Sequence, residues 1–397
     1  MVAKRRGVGS GCSFVEVSAP RPGLGISRTV GPRGPSQSGR GKSEGILDIN
    51  ENSVNGVNPF HISVIIPTHN RHQSLKACLS SLLAQTQEPC RFEVIVVDDG
   101  STDGTALVVS AFAERSPFPV RLVRLQSSRG PGGARNAGIV GASGDLIAFV
   151  DDDVLVEPDW MSAIEKWFED PTVVGMEGRT EVKPREEVTP FTHQTEVLKG
   201  GRFPTCNMIF RKTVLDQVGG FCERFFDPRT GVHFREDQDL AFRVLDQGGR
   251  IIFAPDVKAV HPPSPPTWNR PWNLARRYRF DGLLLRRHPR RFWREVDAHR
   301  IGEITLGYTR MWIYGVSLVV NVLFVLSLLL NRGLVMSGII AGLSLLLVMG
   351  LHCRLIRLRP GLIPWILAFI PMAVMVPWIA WLSFFGGLWH FRNQFNP

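Results

Sequence analysis

The stretch Phe149-Val150-Asp151-Asp152-Asp153 decides the fold, because three carboxylates directly follow an apolar run that begins at Leu146. An apolar run of this kind predicts a buried strand. In an open α/β sheet, ligands bind at the edge formed by the carboxyl ends of the strands. Clustered carboxylates repel one another, and a divalent cation relieves that repulsion. The stretch therefore predicts an acidic, cation-binding edge, although three such residues alone also suit a solvated acidic turn.

Strand and helix patterns alternate on both sides of this stretch, which predicts parallel strand pairing with right-handed crossovers. The strand patterns are Ile62–Ile66, Phe92–Val97, Val120–Leu125, the run ending at Val150, Ile251–Phe253 and Val257–Val260. The helix patterns are Ser74–Ala84, Thr105–Glu114, a helix that opens at Ala134 after the turn Arg129–Gly133, Thr213–Val218 and Asp237–Gln247. The carboxyl ends of parallel strands share one edge of a sheet, so Asp98-Asp99 and Asp151–Asp153 are expected together there.

Composition divides the chain into regions. Residues 1–58 are rich in Gly, Ser, Pro and Arg, so we expect them to be disordered, and they lack the apolar stretch of a signal peptide. The net charge of +10 comes largely from arginines at 270–300, directly before an apolar region at 312–388. Such a basic belt favours anionic lipid headgroups over nucleic acid, for which no motif is present. The six cysteines form no CxxC pair, which argues against a structural zinc site or a disulfide framework.

Three apolar segments are each long enough to cross a bilayer, namely Trp312–Leu330, Gly333–His352 and Leu362–Phe385. Pro371 and Pro377 are expected to kink the third. Arginines crowd before the first segment and within 353–361, so the positive-inside rule predicts a multi-pass cell-membrane protein with a cytoplasmic globular domain and an outward C-terminus. The arginine- and aromatic-rich stretch at 266–308 is expected to lie at the membrane interface; the alternative is a solvated basic helix on the globular domain.

Six motifs then follow one another in a fixed order. They are Pro67-Thr68-His69-Asn70-Arg71, Asp98-Asp99-Gly100-Ser101, Gly130 through Asn136, Asp151-Asp152-Asp153, Glu236-Asp237-Gln238-Asp239 and His261. Together they resemble the family 2 glycosyltransferases over about residues 61–262. The segments Asn207–Arg211 and Val218–Phe221 are also similar to family members that extend lipid-linked or surface glycans.

The resemblance implies the α/β class, with a GT-A (Rossmann-like) nucleotide-sugar domain followed by an all-α transmembrane region. The expected organisation is a disordered basic segment at 1–58, the GT-A domain at 59–265, interfacial helices at 266–308, three transmembrane helices at 309–390 and a tail at 391–397. The implied partners are a nucleotide-diphosphate sugar donor, a lipid-linked or cell-envelope glycan acceptor and membrane lipids, with no nucleic acid.

The resemblance also implies a role for each motif. The donor would contact Pro67, Thr68, Asn70, Arg71, Asp98, Asp99, Gly100, Ser101, Arg135, Asp151 and Asp152. Either Asp98 or Asp99 would accept a hydrogen bond from the base, although Asp-Asp-Gly-Ser is also good turn chemistry. Arg135, near a helix N-terminus, would favour phosphate oxygens. The metal ligands would be Asp153, Asp151 and His261, holding Mn²⁺ or Mg²⁺ at the diphosphate, and an imidazole ligand favours Mn²⁺.

The implied reaction is inverting glycosyl transfer, in which a carboxylate removes the proton of the attacking hydroxyl. The candidate base is Asp237, with Glu236 beside it as a second catalytic candidate. Acidic residues at a helix start also serve as caps and complement the helix dipole, which is the structural alternative for both.

Three other functions compete with this interpretation. A processive polysaccharide synthase would typically carry a Gln-x-x-Arg-Trp motif before its membrane helices, and none occurs here. A non-catalytic membrane scaffold with the same fold has no need of the intact Asp153, Asp237 and His261. A nucleotidyltransferase would have a glycine-rich, basic opening after the first strand, whereas this strand runs into Pro67-Thr68-His69-Asn70.

Overall fold

The computed structural model describes residues 15–16, 61–86, 88, 91–184, 188–189, 191–301, 304–330, 338–339, 342–343 and 363–392. The predicted second membrane segment and the predicted disordered segment therefore lie almost entirely outside the described residues. Within the latter, Val15–Glu16 forms a two-residue strand that pairs with Val123 and Arg124.

Across the described ranges, nine strands form one sheet in the order β1-β4-β3-β2-β5-β8-β7-β11-β6. These strands are β1 (Val15–Glu16), β2 (Ile62–Thr68), β3 (Phe92–Asp98), β4 (Val120–Arg124), β5 (Leu146–Val150), β6 (Leu155–Val156), β7 (Val173–Glu181), β8 (Asn207–Arg211) and β11 (Arg250–Val260). Two short hairpins lie apart from it: β9 (Phe226–Asp227) with β10 (Val232–His233), and β12 (His299–Ile301) with β13 (Ile304–Leu306).

The sheet is mixed, which corrects the expectation of purely parallel pairing. Strands β4, β3, β2 and β5 are parallel neighbours, as predicted, but β8 runs antiparallel to both β5 and β7. An antiparallel neighbour needs no helical crossover, and β8 follows β7 in the element order. The pairing sets Asn207 opposite Val150, directly beside the acidic triplet.

Helices cover both faces of the sheet. They are α1 (His72–Leu83), α2 (Thr105–Ala113), α3 (Gly130–Gly141), α4 (Trp160–Phe168), α5 (Lys212–Val218) and α6 (Glu236–Asp246). Helix α3 begins at Gly130, inside the stretch expected to be a turn, and α4 was not predicted. The two strand patterns at 251–253 and 257–260 form one strand, β11, with a register shift between Ala254 and Lys258.

Three short helices and the β12–β13 hairpin follow β11 and lead to two long helices. They are α7 (Arg270–Arg277), α8 (Arg279–Arg287), α9 (Pro289–Glu295), α10 (Thr309–Leu329) and α11 (Ile363–His390). Phe280, Leu283, Leu284 and Phe292 are buried in the same core as Phe149 of β5 and Phe242 of α6. The stretch expected to lie on the membrane thus directs these apolar side chains into the protein.

Helix α10 is long and apolar enough to cross a membrane, and most of its apolar side chains are exposed. Its first turns are different, because Met311 and Tyr314 are buried in the core shared with the sheet. Helix α11 is bent by 49° between Met372 and Val374, one residue after Pro371, as the predicted kink requires. If the two halves of α11 count as one span, the described residues hold two candidate spans.

Candidate active site

Two turns at the carboxyl ends of β2 and β3 are joined by hydrogen bonds. Asn70 has a positive φ of 53°, and its backbone N–H donates to Ser101 Oγ at 2.9 Å. The backbone N–H of Thr102 donates to Asn70 Oδ1 at 2.8 Å. Between them, Gly100 has a φ of 78°, which glycine adopts without steric cost. The two predicted nucleotide-binding motifs, which include Pro67 at the end of β2, therefore lie side by side.

The two adjacent carboxylates at the end of β3 have different hydrogen-bond partners. Asp99 accepts from the backbone N–H groups of Arg129 and Gly130 and from Ser128, so both of its oxygens hold the start of α3. Asp98 accepts from the backbone N–H of Ser101, but its buried Oδ2 accepts no hydrogen bond and lies 3.5 Å from Arg124 Nε. Burial raises the pKa of Asp99 despite these donors. Of the two carboxylates, only Asp98 therefore has an oxygen that accepts no hydrogen bond.

The acidic triplet after β5 is divided among different partners. Asp152 is buried and accepts from Thr68 Oγ1 and Arg71 Nη1, both at 2.8 Å. Arg71 also donates to Asp153 Oδ2 at 2.6 Å. Burial raises the pKa of Asp152 to about 7, and the charges of Asp153 and Asp151 add to this effect against that of Arg71. Asp152 therefore joins the ends of β2 and β5, and its two oxygens are already used.

Arg135 links the triplet to the start of α6. Its guanidinium is buried, donates to Asp151 Oδ1 at 2.6 Å and lies 3.9 Å from Glu236 Oε1. The Nε and Nη1 atoms of Arg135 and the Oε2 atom of Glu236 are buried without any hydrogen-bond partner. Buried polar atoms without partners cost free energy, and a polar ligand removes that cost by supplying the missing hydrogen bonds. The centre of the site is therefore suited to a polar ligand.

Two adjacent carboxylates at the start of α6 have opposite pKa shifts. Burial favours the neutral form of Glu236, but the charges of His233 and Arg135 outweigh it and lower the pKa of Glu236. The Nδ1 atom of His233 lies 3.1 Å from Glu236 Oε1. Burial raises the pKa of Asp237, and the charge of Glu236 raises it further. Asp237 is partly exposed, and its Oδ1 accepts from the backbone N–H of Gln238 at 2.7 Å. A carboxylate in this state can take a proton near neutral pH.

The predicted metal ligands are only partly brought together. Asp153 Oδ1 lies 3.7 Å from His261 Nε2, whereas Asp151 pairs with Arg135. Among the residues that the structure describes, no three His, Cys, Asp or Glu side chains converge tightly enough to hold a metal ion. The Nδ1–H group of His261 can donate to the carbonyl of Pro262 at 3.0 Å, which leaves the Nε2 lone pair facing Asp153. This arrangement of an imidazole nitrogen beside a carboxylate oxygen fits two ligands of one ion.

Four residues that the sequence did not single out hold the start of α6. Arg235 has a positive φ of 74°, a strained conformation for a residue with a side chain. It donates from Nε to Asp281 Oδ1 at 2.7 Å and from Nη2 to Asp297 Oδ2 at 3.2 Å. Tyr308 donates to Asp281 Oδ2 at 2.9 Å. The arginine adjoins the acidic motif, but its partners lie 46 and 62 residues further along the chain, so no local pattern could have identified them.

Two cavities, of about 460 and 440 Å³, lie away from these groups. Their linings come from the β9–β10 region, α7, α8 and the end of α11, and include Asp227, Arg276, Arg279 and His390. None of the predicted site residues lines either cavity.

Comparison with known proteins gives a consistent result. The model of glycosyl transferase family 2 matches residues 63–227, and that of glycosyl transferase family group 2 matches residues 146–389. The glycosyltransferase AglE of Haloferax volcanii is 30% identical over 216 residues, which is 52% of this chain and 68% of that protein. The pre-mycofactocin glycosyltransferase of Mycobacterium tuberculosis is 28% identical over 255 residues, which is 58% of this chain and 49% of that protein.

Among solved structures, a mannosyltransferase from Pyrobaculum calidifontis in complex with GDP-Man and Mn²⁺ is similar, at 25% identity and a TM-score of 0.46. The alignment covers 58% of this chain and 65% of that one.

Proposed function

This chain belongs to the family 2 glycosyltransferases and has their GT-A fold, and we propose that it transfers a sugar, with inversion, from a nucleotide-diphosphate sugar to a lipid-linked or cell-envelope glycan acceptor at the membrane. The main support for this proposal is the position of Arg135. It binds Asp151 of the acidic triplet and lies close to Glu236 at the start of α6, so the two acidic motifs belong to one site. A donor-binding edge and a base with a raised pKa are the two parts that such a transfer needs.

Asp237 is the proposed general base. Its raised pKa suits proton removal from an acceptor hydroxyl, and its partial exposure leaves it accessible to that hydroxyl. Glu236 keeps a negative charge beside it, which makes Asp237 a stronger base. Asp239, three residues from Glu236, is fully buried and bound to Arg243, Arg287 and His288, so its role is structural.

Asp153 and His261 are the proposed protein ligands of a divalent ion, Mn²⁺ or Mg²⁺, with the donor diphosphate completing the coordination. When bound, the ion stabilises the negative charge that develops on the leaving diphosphate. Asp151 remains a candidate ligand or ribose contact, because only its Oδ1 is bound to Arg135. Arg71 and Asp152 hold Asp153 in place.

The nucleotide is proposed to lie along the turns after β2 and β3. Asn70, Gly100 and Ser101 form that surface, and Thr68 stabilises it through its hydrogen bond to Asp152. Asp98 is the proposed contact of the base, because Asp99 already uses both oxygens at the start of α3.

The membrane arrangement is proposed to be multi-pass, with the catalytic domain in the cytoplasm. The exposed apolar surface of α10, the arginines that precede it and the arginines at 353–361 support this orientation. A reporter fused after Pro397 should be active only outside the cell, and one inserted near Arg357 only inside. A reporter at the C-terminus that is active inside would contradict three spans.

The direct test of function is a screen of nucleotide sugars with the detergent-solubilised full chain and Mn²⁺. A bound donor should raise the midpoint of thermal unfolding, since binding at a hundredfold excess over Kd stabilises by about 2.7 kcal/mol. NMR of the product should show the inverted anomer. If no nucleotide sugar binds or is cleaved, the proposal fails.

A further inference from the structure

The arginines that follow β11 differ in their partners. Some of them bind carboxylates of the globular domain, as Arg279 does with Asp227, Arg287 with Asp239 and Arg291 with Asp246, each at 2.5 Å. Arg270 and Arg277 of α7 are different. Within the described part of the chain, neither side chain forms an ion pair or donates a hydrogen bond, although both are partly buried.

These two arginines share one face of α7, because residues seven apart in an α-helix lie almost above one another. Helix α7 packs between α11 and β10, the strand that leads into Arg235 and Glu236. Burial and the charges of Arg277 and Arg310 together lower the pKa of Arg270 to about 10. Burial also lowers the pKa of Arg277, against the attraction of Glu236. Two like charges therefore lie on one face of α7 near Glu236, and neither forms an ion pair within the described residues.

A histidine lies beside the same pair. The ring of His193 packs edge-on against His261 with 5.6 Å between ring centroids. The backbone N–H of Ser264 donates to the His193 carbonyl at 2.8 Å, and that of Thr267 donates to the Phe191 carbonyl at 2.9 Å, so the chain that leads into α7 lies against His193. The Nδ1 atom of His193 is buried without a hydrogen-bond partner. A buried imidazole nitrogen without a partner therefore lies beside the proposed metal ligand His261, on the segment against which the start of α7 is held.

We propose that Arg270, Arg277 and His193 bind a phosphate group carried by a substrate of the transfer reaction. Guanidinium groups form strong, often bidentate hydrogen bonds with phosphate oxygens, and the anion also cancels the repulsion between the two charges. The phosphate can come from the diphosphate of the donor or from the phosphate of a lipid-linked acceptor. The contact of α7 with α11, a candidate membrane helix, favours the acceptor. This inference rests on the proposed function.

The test uses the detergent-solubilised full chain and the variants Arg270→Gln and Arg277→Gln. Binding of a polyprenyl phosphate is compared with binding of the matching polyprenol, and binding of UDP and GDP is measured separately. Each variant should lose about tenfold to a hundredfold in affinity for the polyprenyl phosphate, the usual value of one hydrogen bond to a charged group, with polyprenol binding unchanged. Arg276→Gln is the matched control, because Arg276 is exposed on another face of α7.

The two arms identify the source of the phosphate. A loss confined to polyprenyl phosphate assigns the site to the acceptor, and a loss confined to UDP or GDP assigns it to the donor. Unchanged affinity for all of these ligands in variants with wild-type thermal midpoints overturns the proposal. His193→Gln is a milder third variant with a smaller expected loss. Donor hydrolysis by the wild type is measured in parallel, and its absence would contradict the proposed function while leaving the phosphate-binding result intact.

Discussion

The two halves of the site are held together in different ways. In the strand half, residues 61–153, charged residues of different motifs bind one another, as when Arg71 binds Asp152 and Asp153. In the helix half, the start of α6 is also held by side chains from the segment that follows the sheet, as when Arg235 binds Asp281. The proposed base therefore lies on a helix whose first turn is held by residues outside the family motifs.

The largest expected effect separates two carboxylates on α6. Asp237→Asn keeps the shape of the side chain and removes the base, so the transfer rate should fall by about 10²- to 10⁴-fold with donor affinity within a few-fold of wild type. Asp239→Asn should instead lower the thermal midpoint, because Asp239 binds Arg243, Arg287 and His288 in the core. Full transfer activity of purified Asp237→Asn would remove Asp237 from the base position.

The contrast between local motifs in the strand half and long-range contacts in the helix half also explains which features the sequence could predict. The strand-end motifs could be located because an apolar run followed by Asp98-Asp99 or Asp151–Asp153 is a local pattern, and parallel strands bring such ends to one edge. The antiparallel strand β8 and the Arg235–Asp281 pair depend on contacts between distant segments. The packing of Phe280, Leu283 and Leu284 of α8 on the core could not be predicted either, since an apolar stripe that packs on a core and one that faces lipid have the same spacing.

The next effect tests whether the segment that follows the sheet supports helix α6. Asp281 is fully buried, and among the residues that the structure describes Asp281→Asn leaves Arg235 with Asp297 as its one ionic partner. Leaving a buried charge without its partner costs up to about 3–5 kcal/mol, so the midpoint of thermal inactivation should fall clearly. Arg250→Gln is the control, because the Arg250–Asp170 pair is exposed and should contribute little. Equal midpoints for the two variants would show that α6 does not depend on this pair.

A third, smaller effect concerns the metal. Asp153→Asn and His261→Ala each remove one proposed ligand, so the Mn²⁺ concentration needed for half-maximal activity should rise about tenfold or more. A chelator should abolish activity of the wild type. Asp152→Asn is a useful comparison, since Asp152 has no free oxygen for an ion and acts through Arg71 and Thr68. Activity that persists in excess chelator would require another role for the acidic edge.

The smallest effect is a displacement of the pH profile. A base must be deprotonated, so kcat/KM should fall as the pH drops through the raised pKa of Asp237. Because the charge of Glu236 contributes to that increase, Glu236→Gln should move the acidic limb of the profile to lower pH, while burial still keeps the pKa of Asp237 above that of a free carboxyl.

The native protein binds a proton at Asp237 more tightly than the unfolded chain, so this group also makes the fold less stable as the pH rises through the raised pKa of Asp237. The paired measurement is therefore the pH dependence of kcat/KM and of the thermal midpoint in both proteins. A limb that stays in place in Glu236→Gln would mean that another group titrates, and the helix half of the site would then lose its proposed base.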